Sequence, residues 1–262
     1  MARAAVLGRL SWQVGTLVAS RRESLTARTL VLEVPGWPGH LPGQHVDLRL
    51  TAPDGYSTQR SYTVASAREP HPATGDARVE LTVEEVEDGE VSPYLVEVMR
   101  IGDPIELRGP VGGWFVWPPD VSDGAADSAR ATLLAAGGSG VVPLMAMLRA
   151  RRLAGSRAPF RLVYSARSPT SMLYAEELAR LAGDGSGLEV EHVFTRSAPP
   201  GWAGEVGRVR PEQLVQPIAG RTPDAAFVCG ATGFVESVAN VLTTRGVDPR
   251  RVKTERFGPT GG

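Results

Sequence analysis

Along the first 117 residues, apolar and polar positions alternate in short runs; beyond residue 130 the apolar positions fall into helical spacing between short apolar runs. Val46-Asp47-Leu48-Arg49-Leu50 and Val79-Glu80-Leu81-Thr82-Val83-Glu84 set every second side chain on one face, the pattern of a half-buried strand. Six strands are predicted, over residues 14–19, 29–34, 45–50, 61–65, 79–86 and 104–108. Breakers such as Pro35-Gly36, Pro42-Gly43 and Asp54-Gly55 separate them. One helical stretch is predicted over 93–99. Short strands punctuated this way suggest a small antiparallel barrel.

The pattern changes near Trp117. Residues 118–130 hold Pro, Gly, Ser and Asp without apolar periodicity and read as a linker. After them, strands over 131–136, 160–165, 188–194, 225–229 and 252–257 alternate with helices. The first helix, 141–153, carries Val142, Met145, Leu148 and Ala150 at helical spacing. A second opens at Ser168-Pro169, with Leu173, Leu178 and Leu181 on its apolar side. A third, 234–244, aligns Val235, Val238 and Leu242. Strand–helix alternation implies a parallel sheet covered on both faces, with ligands at the carboxyl ends of its strands. The expected organisation is a barrel domain over 10–117 and an α/β domain over 131–262.

Composition narrows the chemistry. With 28 basic and 29 acidic residues interspersed, the net charge of −1 argues against nucleic-acid binding as the main task. A single cysteine, Cys229, excludes an intrachain disulfide and a cysteine-ligated cluster within these residues. His40, His45, His71 and His192 lack metal-ligand spacing, so no metal site is expected. No run is long enough to span a bilayer, and the first residues lack the apolar core of a secretory signal. The expected location is the cytoplasm.

Gly137-Gly138-Ser139-Gly140-Val141-Val142-Pro143 follows an apolar strand and opens a helix. Small residues there let a backbone approach a pyrophosphate, and the helix start offers unpaired N–H groups to its charge. A tight turn with no ligand would carry the same letters. The G-x-S-x-G elbow of serine hydrolases fails, because Val141 stands where the last glycine is needed. Arg60-Ser61-Tyr62-Thr63 combines a cation for phosphate, an aromatic face and a hydroxyl, although an ordinary strand could hold those residues too.

The order of the motifs is more specific than any one of them. Arg60 to Thr63, Gly89-Glu90-Val91-Ser92-Pro93-Tyr94-Leu95, Gly102-Asp103, Gly109-Pro110, Gly137 to Pro143, Cys229-Gly230 and Glu255-Arg256-Phe257-Gly258 follow in sequence. The chain thereby resembles the ferredoxin–NADP reductase family over residues 10 to 258, as a member with no fused iron–sulfur domain in these residues. The resemblance implies a flavin-binding barrel followed by a nicotinamide-binding α/β domain. It implies Arg60 on the flavin pyrophosphate, Tyr62 stacked on the ring, and Thr63 near the ring's N5, with Ser61 in the same cofactor-binding stretch. Gly89, Val91 and Ser92 would present helix-start amides to the pyrophosphate, with the Ser92 hydroxyl adding a bond. Gly137, Gly138, Ser139, Gly140 and Pro143 would hold the pyrophosphate of the nicotinamide cofactor.

Cys229, Gly230 and Glu255 match positions beside the nicotinamide, and Phe257 one that covers part of the flavin. Cys229 reads as a small polarizable residue packed against the ring in preference to a redox-active thiol. Glu255 would position the nicotinamide or relay a proton, or else cap a terminal strand. Thr195-Arg196 resembles the family's pair for a 2′-phosphate, with Arg167 a second candidate, although Gly201-Trp202-Ala203-Gly204 stands where many NADP-specific members carry Lys and Tyr. The cofactors implied are FAD, with FMN as the alternative, and NADPH or NADH as hydride donor. The partner implied is a separate electron acceptor, a ferredoxin or another iron–sulfur protein. Two other functions fit the same letters: a non-catalytic flavin- or nucleotide-binding subunit of a larger complex, and a free-flavin reductase.

Overall fold

Alternating apolar residues bury one face of the strands of the first half, as in β2 (Ala27–Pro35), where Leu30, Leu32 and Val34 are fully enclosed. With β1 (Gln13–Arg22), β3 (His45–Thr51), β4 (Ser57–Thr63), β5 (Asp76–Glu84) and β6 (Pro104–Val111) it forms an antiparallel sheet in the order β4-β3-β6-β1-β2-β5. The computed structural model describes residues 10–67, 76–117 and 130–257. The first nine residues, His71, the expected linker up to residue 129, and Gly258 lie outside them. Just past β4 the chain crosses onto the opposite edge. Val64 bridges Leu81, and the Ala65 N–H donates to the Glu80 carbonyl at 2.7 Å. That crossing joins the two edge strands and makes the sheet a barrel.

Two expectations change here. The fourth strand begins at Ser57, four residues before the predicted start, and pairs along its whole length with β3, from Thr51 with Ser57 to His45 with Thr63. Its polar sequence, S-T-Q-R-S-Y-T, hides a strand whose inner face is only partly enclosed. The helical stretch at 93–99 is a single π turn, Tyr94–Val98, that drops Leu95 and Val96 into the barrel core. Its last carbonyls are held by Arg28, whose guanidinium donates to Leu95, Val96 and Met99 at 3.3, 3.3 and 2.9 Å. These are carbonyls at a helical end, which no further turn would pair.

The second half is a parallel sheet in the order β11-β10-β7-β8-β9, built of β7 (Thr132–Gly137), β8 (Phe160–Ala166), β9 (Leu188–Phe194), β10 (Ala225–Ala231) and β11 (Val252–Phe257). Strand β7 sits between β8 and β10, so chain order reverses there, and the carboxyl ends of β7 and β10 form a crevice. Leu134 and Ala136 face one layer, with α1 (Val141–Leu153) and α2 (Ala175–Gly183); Leu133 and Ala135 face the other, with α3 (Pro211–Val215) and α4 (Thr232–Thr244). The first layer also takes Phe115 and Trp117 from the end of the barrel half. Phe115 meets Phe227 edge-on at 5.5 Å, and Trp117 meets Phe160 at 5.3 Å.

The helix expected from Ser168 is interrupted. Ser168 and Ser171 close a single 3-10 turn on each other, after which the chain extends. Leu173 is buried from that extended segment, its N–H on the Tyr164 hydroxyl, and α2 starts only at Ala175. Leu178 and Leu181 are its buried side, as expected. The last helix starts at Thr232, two residues early, and the five-residue α3 has too short an apolar pattern to be read from sequence. No helix among the described residues is long and apolar enough to cross a membrane.

Candidate functional site

Strand register decides which side chains of β4 share a face. Tyr62 pairs with Val46 and Arg60 with Leu48, so both continue the inner face of the barrel at its open edge. Tyr62 is half-buried against the barrel core, and burial pushes its phenol up to about 12, so the ring stays neutral. Arg60 is exposed and forms no ion pair among the described residues; its guanidinium donates only to Thr58 and the Gln59 carbonyl. Thr63 is buried, and its hydroxyl has no hydrogen-bond partner. A groove of about 860 Å³ opens nearby, lined among others by Leu50, Tyr56, Thr58, Glu90 and Tyr94.

Ser61 does not join this group. By register it takes the face opposite Tyr62, as Thr63 does two residues on, and its hydroxyl donates to Asp47 at 2.7 Å. The turn at Gly89 to Ser92 is compact: the Ser92 hydroxyl accepts from the Val86 N–H at 3.0 Å, and a Cβ on Gly89 would lie 2.9 Å from the Val86 carbonyl oxygen. The Val91 side chain belongs to the barrel core, so it can offer a ligand only backbone. The turn that follows has five residues, too few to build the dipole expected from a helix start. What remains for an anion are the amides of the turn and the Ser92 proton.

At the crevice of the second half, Ala136, Cys229 and Glu255 stand side by side on adjacent strands. Gly140 is buried against this row. A Cβ there would lie 2.2 Å from the Cys229 oxygen and 2.7 Å from the Gly230 nitrogen. Gly137 and Gly230 both pack on the Phe234 ring, each leaving 2.9 Å for a Cβ. Gly138 instead has φ +57 with open space around it, and it is the exposed residue of the loop. Pro143 is buried in the first turn of α1. The loop thus divides: Gly137 and Gly140 allow close approach of β10, while Gly138 and Ser139 face the crevice.

Cys229 is fully buried, and burial with the neighbouring Glu255 raises its thiol well above the ordinary range. A thiol held protonated is a poor nucleophile, which favours the packing reading over redox chemistry. Burial raises the Glu255 carboxyl to about 7, and its Oε2 has no partner. The ordinary value is 4.5, so between these two values the folded chain keeps a proton that the unfolded chain has lost. Stability therefore falls as pH rises through that window. Glu255→Gln, neutral throughout, is expected to be more stable than the parent by about 1–3 kcal/mol near pH ~8 and no more stable near pH ~4.5. Urea unfolding at the two pH values checks this; an equal difference at both would assign the effect to packing.

Phe257 ends β11 and packs on the same core cluster as Cys229, to which the barrel contributes Ala65 and Ala67. At the far ends of β8 and β9, Thr195 donates its N–H to the Ala166 carbonyl and Arg196 donates to that of Arg167, at 2.9 and 3.0 Å. Both arginines are exposed, and neither forms an ion pair among the described residues. Trp202 packs edge-on against Phe194 at 4.9 Å beside them.

Sequence reasoning missed two residues at the junction of the halves, Arg149 and Tyr174. Nothing in the sequence set Arg149 apart from Arg151 and Arg152, which share the last turns of α1 with it.

The oxidoreductase FAD-binding domain family matches residues 15–116, and the oxidoreductase NAD-binding domain family matches 134–240. The chain is 32% identical over 249 residues to ferredoxin–NADP reductase B of Sorangium cellulosum, covering 92% of this chain and 96% of that protein. It is 31% identical over 221 residues to the glycine betaine monooxygenase reductase subunit of Chromohalobacter salexigens, covering 84% of this chain and 56% of that one. It spans about half the length of several of the curated relatives it matches. The FAD/NAD-binding domain of nitric oxide dioxygenase from Vibrio cholerae shares the fold, with a TM-score of 0.79 at 23% identity, over 94% of this chain and 99% of that one.

Proposed function

The chain belongs to the ferredoxin–NADP reductase family, and we propose that it is an NADPH-dependent flavoprotein reductase serving a separate electron acceptor. One observation carries the reading. Among the described residues the two buried side-chain polar atoms without a partner are Thr63 Oγ1, on the strand of the barrel motif, and Glu255 Oε2, at the crevice of the α/β half. A buried polar atom left unpaired is costly, and each sits where a ligand would supply the missing bond.

The residues fit FAD. Arg60 supplies an unpaired cation for the pyrophosphate, Tyr62 a neutral ring face, Thr63 a hydroxyl for the ring edge, and the Gly89 to Ser92 turn further donors. The groove past Thr58 suits the adenosine end that FMN lacks. When bound, the flavin supplies the redox chemistry, taking a hydride from the nicotinamide and releasing electrons to the acceptor. Gly138 and Ser139 would hold the nicotinamide cofactor's pyrophosphate, with Cys229 packed beneath the crevice that takes its ring. Glu255, titrating near neutrality, places the ring and holds a proton at its carboxyl oxygen. Phe257 would cover part of the flavin ring.

Arg167 and Arg196, side by side and without acidic partners, favour a 2′-phosphate and hence NADPH. The acceptor is proposed to be a ferredoxin or an oxygenase-type redox protein, since Cys229 alone cannot ligate a cluster within these residues. Titration of the FAD-loaded protein with NADPH and NADH, followed by its visible spectrum, tests the proposal. NADPH is expected to bleach the flavin at lower concentration, and Arg196→Ala to raise the NADPH requirement about tenfold while sparing NADH, for the loss of one charge-assisted contact. A protein that prefers NADH and ignores Arg196→Ala would return both arginines to solvent.

A further inference from the structure

Helix α1 carries a charge into the seam between the two halves. Arg149 lies about two turns beyond the glycine loop, and its side chain is only 15% exposed. Its Nε and Nη2 form a two-pronged pair with Glu177 of α2, at 2.9 and 2.7 Å. Its Nη1 donates across the seam, to Glu80 of β5 at 3.0 Å and to the Ala65 carbonyl at 2.9 Å. Ala65 lies two residues beyond Thr63, at the crossing that closes the barrel, where its own N–H is held by the Glu80 carbonyl. One planar fork, carried by the helix that follows the glycine loop, therefore grips both α2 and the segment that follows the Arg60 to Thr63 motif.

A second contact runs beside it. The Tyr174 ring centroid lies 5.2 Å from the Arg149 guanidinium carbon, and the Tyr174 hydroxyl donates to Thr82 of β5. Thr82 in turn shares a 2.7 Å hydrogen bond with the buried Thr29. Tyr174 has φ +58 and ψ 25, a left-handed conformation unfavourable for an aromatic residue. Glu23 of the barrel half accepts from its N–H at 3.3 Å. Such a backbone persists only where its surroundings over-determine it, and here the surroundings belong to the other half.

Seams between domains of one chain usually permit relative motion. Beside the aromatic contacts of Phe115 and Trp117, this one is tied by a guanidinium whose plane sets the direction of its bonds, a geometry that lysine does not reproduce. We propose that Arg149 is a positioning residue, which sets the distance between the flavin held by β4 and the nicotinamide held at the start of α1. The proposal rests on the functional reading above. Misplacement by about 1 Å is enough to cost a transfer step up to a hundredfold.

The test is single-turnover bleaching of the FAD-loaded protein by saturating NADPH, with hydrogen exchange at Ala65 and Thr82 followed in parallel. Arg149→Met is expected to keep FAD and NADPH dissociation constants within about twofold, to lower the limiting rate at least about tenfold, and to speed exchange at both amides. Arg149→Lys is expected to recover part of the rate. A folded Arg149→Met protein with the parent's limiting rate, or a loss confined to the NADPH dissociation constant, would overturn the proposal. Should that variant fail to fold, Tyr174→Phe removes only the hydroxyl contact and is expected to lower the limiting rate about threefold; an unchanged rate there would also overturn it. If NADPH and NADH both leave the parent protein's flavin unbleached, the functional reading falls and takes this proposal with it.

Discussion

Gly140→Ala is expected to separate the glycine loop from β10 and to destroy the dinucleotide crevice. A Cβ at this position would sit 2.2 Å from the Cys229 oxygen, 2.4 Å from its carbonyl carbon and 2.7 Å from the Gly230 nitrogen. All three are backbone atoms of a central strand, so no side chain can swing aside. The φ of −59° suits alanine well, which isolates the steric cause from backbone preference. Relief requires the β7–α1 junction to move away from the Cys229 and Glu255 row. We expect about 2–4 kcal/mol of lost stability, at the upper end of overpacking costs, and at least about a tenfold weaker hold on NADPH. Gly138→Ala is the control: its φ of +57 imposes about 1–2 kcal/mol of strain, but the space around it is open. Urea unfolding and NADPH titration compare the two. Equal behaviour would mean that the close approach at Gly140 is not what builds the crevice.

Arg60→Ala is expected to leave the fold intact and to weaken FAD about tenfold to a hundredfold. A hydrogen bond to a charged group contributes about 1.5–3 kcal/mol, and each 1.4 kcal/mol or so is tenfold in affinity. The fold should tolerate the change, because the exposed guanidinium bonds only to its neighbours Thr58 and Gln59. Removing it therefore strands no buried partner. Fluorescence titration of flavin-free protein with FAD measures the effect, and a parallel unfolding curve measures the cost to the fold. Unchanged FAD affinity would take the pyrophosphate away from Arg60. Ser61→Ala serves as a comparison, since that hydroxyl faces Asp47 and should matter little to FAD.

These two residues also mark what the sequence made legible. The strand–helix junction at Gly137 to Pro143 was readable because three glycines follow an apolar run and precede helical spacing. Which glycine does what was not, since the contact of Gly140 with Cys229 joins residues far apart in the chain. The start of β4 at Ser57 was not legible because Thr58 and Arg60 stand on its inner face where a core strand would carry apolar residues. The helix expected at Ser168 failed for a related reason: Leu173 and Tyr174 satisfy tertiary partners, Tyr164 and Thr82, that outweigh local helical preference. Glu255 could be proposed from its place in the motif order, but its elevated carboxyl depends on burial that only the fold supplies.

On the proposed function, one protein joins a flavin at Tyr62 and Thr63 to a nicotinamide at Cys229 and Glu255. The most direct test is anaerobic mixing of the FAD-loaded protein with NADPH carrying hydrogen or deuterium at nicotinamide C4. The expected result is single-turnover bleaching of the flavin that is slower with deuterium, and slower again in Glu255→Gln. A flavin that binds but is bleached by neither NADPH nor NADH would contradict the account.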